Sequence, residues 1–140
     1  MFSESEKQAI VAAIRQAEKA TSGEIRVHVQ PKCSEDPMQD AIAVFHRLKM
    51  TETAARNGVL VFLATEHRKF AVVGDEGIHR FVGNDFWNET AQVMRQHFSG
   101  NEMVQGLCAA ILLIGEKLKL HFPYQQQDTN ELSDEISEGE

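Results

Sequence analysis

The sequence predicts an α/β protein: a three-layer α/β/α sandwich around a small mixed sheet, parallel on one side and antiparallel on the other. Three observations predict it. An amphipathic helical stretch leads into the alternating segment "EIRVHVQ" at 24–30. A second helical stretch then leads into the continuous apolar run "GVLVFLA" at 58–64. A further strand signal, "KFAVVGD", begins only four residues later.

The elements follow in order. Ser3 with Glu6 forms a capping box, and Ile10, Val11, Ile14 and Ala17 recur at helical spacing until Thr21-Ser22-Gly23 breaks the run. Ile25, Val27 and Val29 then alternate with Arg26, His28 and Gln30, the period of a strand with one polar face, and Pro31 closes it. That polar face predicts an edge strand or partial exposure. Asp36-Pro37 opens a second helix marked by Ala41, Ile42, Phe45 and Leu48, ending near Met50. The 58–64 run is β-branched and apolar throughout, as in a strand buried on both faces. The link "TEHR" is too short for a crossover helix, so 58–64 and 69–74 make an antiparallel hairpin. Ile78, Phe81 and Val82 fit a short helix. Phe86, Trp87, Ala91, Met94 and Phe98 mark a longer one, broken at Ser99-Gly100. Met103 to Leu120 form the most apolar helix, which Pro123 stops. Gly106 and Gly115 inside it predict close packing, on the sheet.

At 140 residues the chain fits one domain, over residues 1–123. Residues 124–140 are polar and acidic with no apolar period, and read as a flexible tail. Net charge is −7, but six acids and no Lys or Arg lie beyond Phe122, leaving a body of 15 acids against 14 bases. With no basic stripe and an acidic tail, nucleic acid is excluded as a partner. The longest apolar run, Leu107 to Gly115, falls far short of the roughly 20 residues that span a bilayer, so membrane insertion is not expected. No basic and apolar leader is visible at "MFSESEKQAI", and the cytoplasm is the expected compartment. The two cysteines, Cys33 and Cys108, show no metal or disulfide spacing, and no activating partner for a Cys33 nucleophile is visible.

Parallel pairing of the first two strands, with a hairpin to the third, brings three loops to one rim: "TSGE" at 21–24, "RNG" at 56–58 and "GDEG" at 74–77. Glu24, Asp75 and Glu76 then meet the amide of Asn57, an oxygen-rich set suited to a hard cation such as Ca²⁺ or Mg²⁺. Arg56 could instead fork onto an anion, and a helix beginning near Gly77 would aim N–H groups at a phosphate. The competing reading is a solvated glycine turn whose acids cap a helix. His79, two residues past Gly77, is read as a surface histidine, the only one within reach of such a site as a base.

The order "TSGEIRV", "RNGVLVFLA", "RKFAVVGDEGI", Trp87, "GLCAAILLIGEKL" and "FPYQQQDTNELSDEI" resembles the TPM domain family, whose members include a thylakoid-lumen acid phosphatase. The resemblance spans about residues 6–136. It implies an α/β/α sandwich, divalent cation binding at acidic loops, and phosphatase activity in some members. Carried over by position, it implies Glu24, Asn57, Asp75 and Glu76 as metal ligands and Arg56 and Gly77 on an anion. Where many members open on an acidic "D-x-A-G-x-L-S" turn, this chain reads "MFSES", and it lacks the family's leader and membrane tail, so it looks like a short soluble member. The functional expectation is a cation-binding domain with slow phosphomonoester hydrolysis, the metal activating water. The alternative is a non-catalytic module for assembly with a protein partner.

Overall fold

The computed structural model describes residues 2–82, 87–100, 102–124 and 132–139. The capping box is formed as read: Ser3 Oγ accepts from the Glu6 N–H at 3.1 Å and Glu6 Oε1 from the Ser3 N–H at 2.9 Å, starting α1 (Glu4–Glu18). Strand β1 (Glu24–Gln30) follows, then α2 (Pro37–Arg47), whose first turn is capped by Asp36 with Pro37 behind it. Strands β2 (Gly58–Ala64) and β3 (Lys69–Gly74) form the expected hairpin. Helices α3 (Glu76–Val82), α4 (Asn88–Ser99) and α5 (Met103–Lys119) complete the body, and β4 (Ser137–Glu138) returns to the sheet. Phe86, read as part of α4, lies outside the described residues.

The sheet order is β3-β2-β1-β4. β1 and β2 pair in parallel from Glu24↔Gly58 to Gln30↔Ala64, as a strand-helix-strand crossover through α2 requires. Side chains alternate across this sheet. Ile25, Val27, Val29, Val59, Val61 and Leu63 face α1, α4 and α5 in the larger core. Leu60, Phe62 and Ala64 face α2 in the smaller one, with Ala41, Val44 and Phe45. β2 is buried at every position because it has a helical layer on each face and a strand on each side.

Three expectations are corrected. β1 is not an edge: residues 137–138 pair with it in parallel, His28↔Ser137 and Val29↔Glu138. Its polar face is accordingly closed at His28, which is 0% exposed. The segment read as a structureless tail therefore rejoins the body over 132–139, with Leu132 packed on the smaller core and Ile136 on the larger. One apolar side chain per face is too little for a periodic signal, yet enough to seat two residues of strand. The glycines of α5 pack on helices instead of the sheet. A Cβ at Gly115 would stand 2.8 Å from Ala17 Cβ, and one at Gly106 would stand 2.5 Å from His97 Cβ, so these positions set how closely α1 and α4 approach α5. No helix among the described residues is long and apolar enough to cross a membrane.

Candidate functional site at the loop rim

The three loops meet as the strand order requires, and they are sewn together by backbone hydrogen bonds. The Glu24 N–H donates to Asn57 O at 3.1 Å, the Asp75 N–H to Gly58 O at 2.9 Å and the Gly77 N–H to Arg56 O at 2.9 Å. Asn57 Nδ2 donates to Ser22 O at 3.1 Å, which ties the second loop to the first. The end of α5 closes the same rim: the Ser22 N–H donates to Phe122 O at 2.8 Å, and the Thr21 hydroxyl also donates to Phe122 O.

Within this frame Arg56 and Asp75 take each other. Arg56 Nε donates to Asp75 Oδ2 and Nη2 to Oδ1, both at 2.8 Å, the parallel fork that a guanidinium makes with a carboxylate. Asp75 Oδ1 also accepts from the Glu76 N–H at 2.7 Å, so the carboxylate caps the start of α3 as well. Asp75 is 4% exposed while the Arg56 side chain is 43% exposed, so the acid is buried and its counter-ion covers it from the solvent side. The hydrogen bond with Asp75, helped by the charges of Asp75 and Glu76, raises the pKa of Arg56 further above its ordinary value. Arg56 reaches this position through a left-handed backbone, φ 52°. Gly77 is required by the same crowding: a Cβ there would stand 2.3 Å from Ala55 O and 2.6 Å from Arg56 O. Glu76 points outward, with its carboxylate 3.5 Å from Arg56 Nη1 and 3.5 Å from Arg80 Nη2. His79 is exposed on α3.

On the β1 side the rim differs. Glu24 is 4% exposed and Asn57 3%. Asn57 Oδ1 is a buried acceptor with no hydrogen-bond partner among the described residues. Next to Glu24 stands an acid that the sequence did not single out. Glu18 Oε2, at the end of α1, accepts from the Ile25 N–H at 3.0 Å. Burial pushes the Glu18 carboxyl up to about 10, with a hydrogen bond to Asp134 and the charges of Asp134 and Glu24 adding to it. Glu18 is therefore protonated at neutral pH and bonds Asp134, a residue of the returning segment. Arg15 Nε lies 3.6 Å from Asp134 Oδ2.

The expected ligand set is thus split. Glu24 and Asn57 share the β1 side; Asp75 is committed to Arg56 and to α3, and Glu76 to the surface. Arg56 and Gly77 each already have a partner, Asp75 for the guanidinium fork and the Arg56 carbonyl for the Gly77 N–H. Among the described residues no three His, Cys, Asp or Glu side chains form a ready-made metal site. Away from the rim, His67 Nδ1 accepts from the Cys33 N–H at 3.2 Å and lies 3.9 Å from Cys33 Sγ, a pairing not visible in the sequence. Burial pushes that thiol up, the wrong direction for a nucleophile.

A three-layer sandwich with glycine-bearing acidic loops crosslinked at one rim defines a small α/β domain class. The chain belongs to the TPM domain family: the family's model matches residues 1–117. It is similar to the BA42 protein of the psychrophilic bacterium Bizionia argentinensis, at 42% identity and a TM-score of 0.93, over 99% of this chain and 96% of that one. The N-terminal domain of a protein from P. gingivalis shares the fold at 16% identity and a TM-score of 0.67, over 90% of this chain and 83% of that one. So does the N-terminal domain of the cg2496 protein from Corynebacterium glutamicum, at 16% identity and 0.63, over 99% and 82%. No curated protein matches.

Proposed function

We propose that this chain is a TPM domain that binds a hard divalent cation without turning over a substrate, and that the cation sits on the Glu24 side of the rim instead of on Asp75. The observation that carries this reading is Asn57 Oδ1, a buried acceptor with no partner among the described residues. Leaving such an oxygen unsatisfied costs about 1–3 kcal/mol, which a cation or one of its waters would recover. Glu24, whose N–H bonds the Asn57 carbonyl, brings a buried carboxylate to the same rim, and its charge and that of Asp134 both act on Glu18. Two protein oxygens with several retained waters is the manner in which Mg²⁺ is commonly held, and Ca²⁺ tolerates the same donors with more of them.

Hydrolysis of a phosphomonoester has less support. It needs a group that holds the phosphoryl oxygens, and the expected one, Arg56, already forks onto Asp75. The test is an amide NMR titration of the full chain with Ca²⁺ and Mg²⁺, repeated with Glu24→Gln and with Asp75→Asn. Saturable shifts near 22–24, 57–58 and 132–135 that Glu24→Gln abolishes are expected, with folded Asp75→Asn retaining them. Absence of any response at millimolar metal would sink the cation and favour the protein-assembly module; loss in Asp75→Asn alone would return the cation to the third loop.

A further inference from the structure

His28 is an ionisable side chain sealed inside the sheet by its weakest element. Its ring is 0% exposed and stacks on Phe62 of β2, with centroids 5.7 Å apart and planes 15° apart. Nε2 lies 2.8 Å from Gln30 Oε1, and Gln30 Nε2 donates to Lys32 O at 2.7 Å, which fixes the amide with its oxygen toward the ring. That oxygen only accepts, so Nε2 carries the proton of the neutral ring. Nδ1, 2.9 Å from Ser137 Oγ, then accepts from the Ser137 hydroxyl. Gly139 closes the arrangement: its N–H donates to Val29 O at 2.9 Å, and a Cβ there would lie 3.0 Å from both His28 Nε2 and Gln30 Oε1. The ladder that holds this cover on β1 is two residues long.

We propose that β4 is an acid-released cover: a proton taken up by His28 lifts residues 136–139 from β1 and leaves that edge of the sheet free to pair. The groups facing the ring are Arg26 and Gln30 from β1, Phe62 from β2, Arg47 from α2, and Ser137 and Gly139 from the returning segment. None of them compensates a positive charge. When the ring is protonated both nitrogens donate, and the Ser137 hydroxyl turns to accept, so the hydrogen bonds survive. What is lost is the hydration of a charge held near two guanidinium groups. Burial first, and then Arg47 and Arg26, hold the imidazole below its ordinary range, against the opposing hydrogen bond from Gln30. With the cover off, the ring meets water, the burial that depresses it is relieved, and its pKa rises above the covered value. The depressed value belongs to the covered state, so its stability is complete above the pKa of the uncovered ring and is lost as the pH falls toward that of the covered one. Glu138, 2.8 Å from Lys7, and Asp134, against Arg15 and Glu18, also hold the segment from the α1 side. Substitution at His28 separates its part from theirs.

The experiment is amide exchange and imidazole titration by NMR on the full chain. The protection factor of the Gly139 amide should fall between pH 7.5 and 5, by up to about tenfold per pH unit for one coupled proton, while the amides of β2 hold theirs. In His28→Gln that fall toward acid pH should be absent. Gly139→Pro removes the N–H that bonds Val29 O and detaches the cover from a position outside both cores. In that variant the His28 ring should titrate above its value in the parent. A Gly139 protection factor that ignores pH in the parent, an equal slope in His28→Gln, or an unmoved titration in Gly139→Pro each overturns the proposal. If His28→Gln does not fold, the titration in Gly139→Pro decides alone.

Discussion

Two acids flank the same rim, Asp75 buried and Glu18 half-buried, and they are neutralised in opposite ways. Asp75 is met by a cation built into the next loop, the Arg56 fork, and the result is a fixed brace between β2, β3 and α3. Glu18 is met by another acid, Asp134, and is neutralised by keeping a proton. The first arrangement is a closed ion pair with both hydrogen bonds made inside the protein. The second depends on the solution: it holds a proton that the unfolded chain would release at neutral pH. The brace is therefore architecture, and the carboxyl pair is the responsive side of the rim.

The largest expected effect comes from forcing the brace apart. In Gly77→Ala the new methyl would overlap the Ala55 and Arg56 carbonyls, which are backbone and cannot rotate away. Either α3 or the 55–57 loop must move, and the fork moves with it. We expect a loss on the order of 3 kcal/mol, at the upper end for overpacked sites, read from urea unfolding. A loss below about 0.5 kcal/mol, the range of ordinary surface changes, would show that the brace is slack and no more fixed than the Glu18 side of the rim.

The second prediction acts on the carboxyl pair. The folded-state pKa of Glu18 is raised, so folding takes up a proton between the ordinary glutamate value, about 4.3, and about 10. The stability it contributes is complete below the lower value and is lost as the pH rises through the upper one. Glu18→Gln keeps both hydrogen bonds, since Oε1 can accept from the Ile25 N–H and Nε2 can donate to Asp134, and it removes the proton requirement. The variant should match the parent near pH 4, exceed it in melting temperature at pH 7.5, and exceed it further at pH 9. A parallel pH dependence in the two proteins would refute the shared proton.

How much of this was legible beforehand follows from the range of the interactions. Helix starts, strand period and the four-residue link are local, and from Ser3, Ile25-Val27-Val29 and "TEHR" they gave the element order and the meeting of the three loops. Parallel pairing placed Glu24 beside Asn57 correctly. What it could not give was the partner of each side chain. Arg56 was open to an external anion until its left-handed backbone turned it onto Asp75. Glu18 looked like one more helix-end acid, because its partner sits 116 positions away in a segment with a single inward apolar residue per face. His28 looked half exposed for the same reason. Leu132 and Ile136, four apart in otherwise polar sequence, were the one available signal, and two residues carry no period.

The smallest effect tests whether the returning segment belongs with the brace or with the pair. Lys7 Nζ reaches Glu138 Oε1 at 2.8 Å, but both side chains keep substantial contact with water, at 29% and 46% exposure. Exposed pairs of this kind are screened by salt and contribute little to global stability. Glu138→Gln should thus leave the melting temperature unchanged within error. Locally the prediction differs: the amide of Gly139, one residue on, bonds Val29 O only while the segment is seated. Its exchange should quicken severalfold in the variant, and raising the salt should quicken it in the parent toward the same rate. That outcome separates a segment that opens on its own from a body that does not. If the Gly139 amide instead exchanged only with global unfolding, β4 would share the cooperativity of the brace, and the responsive side of the rim would shrink to the Glu18 carboxyl.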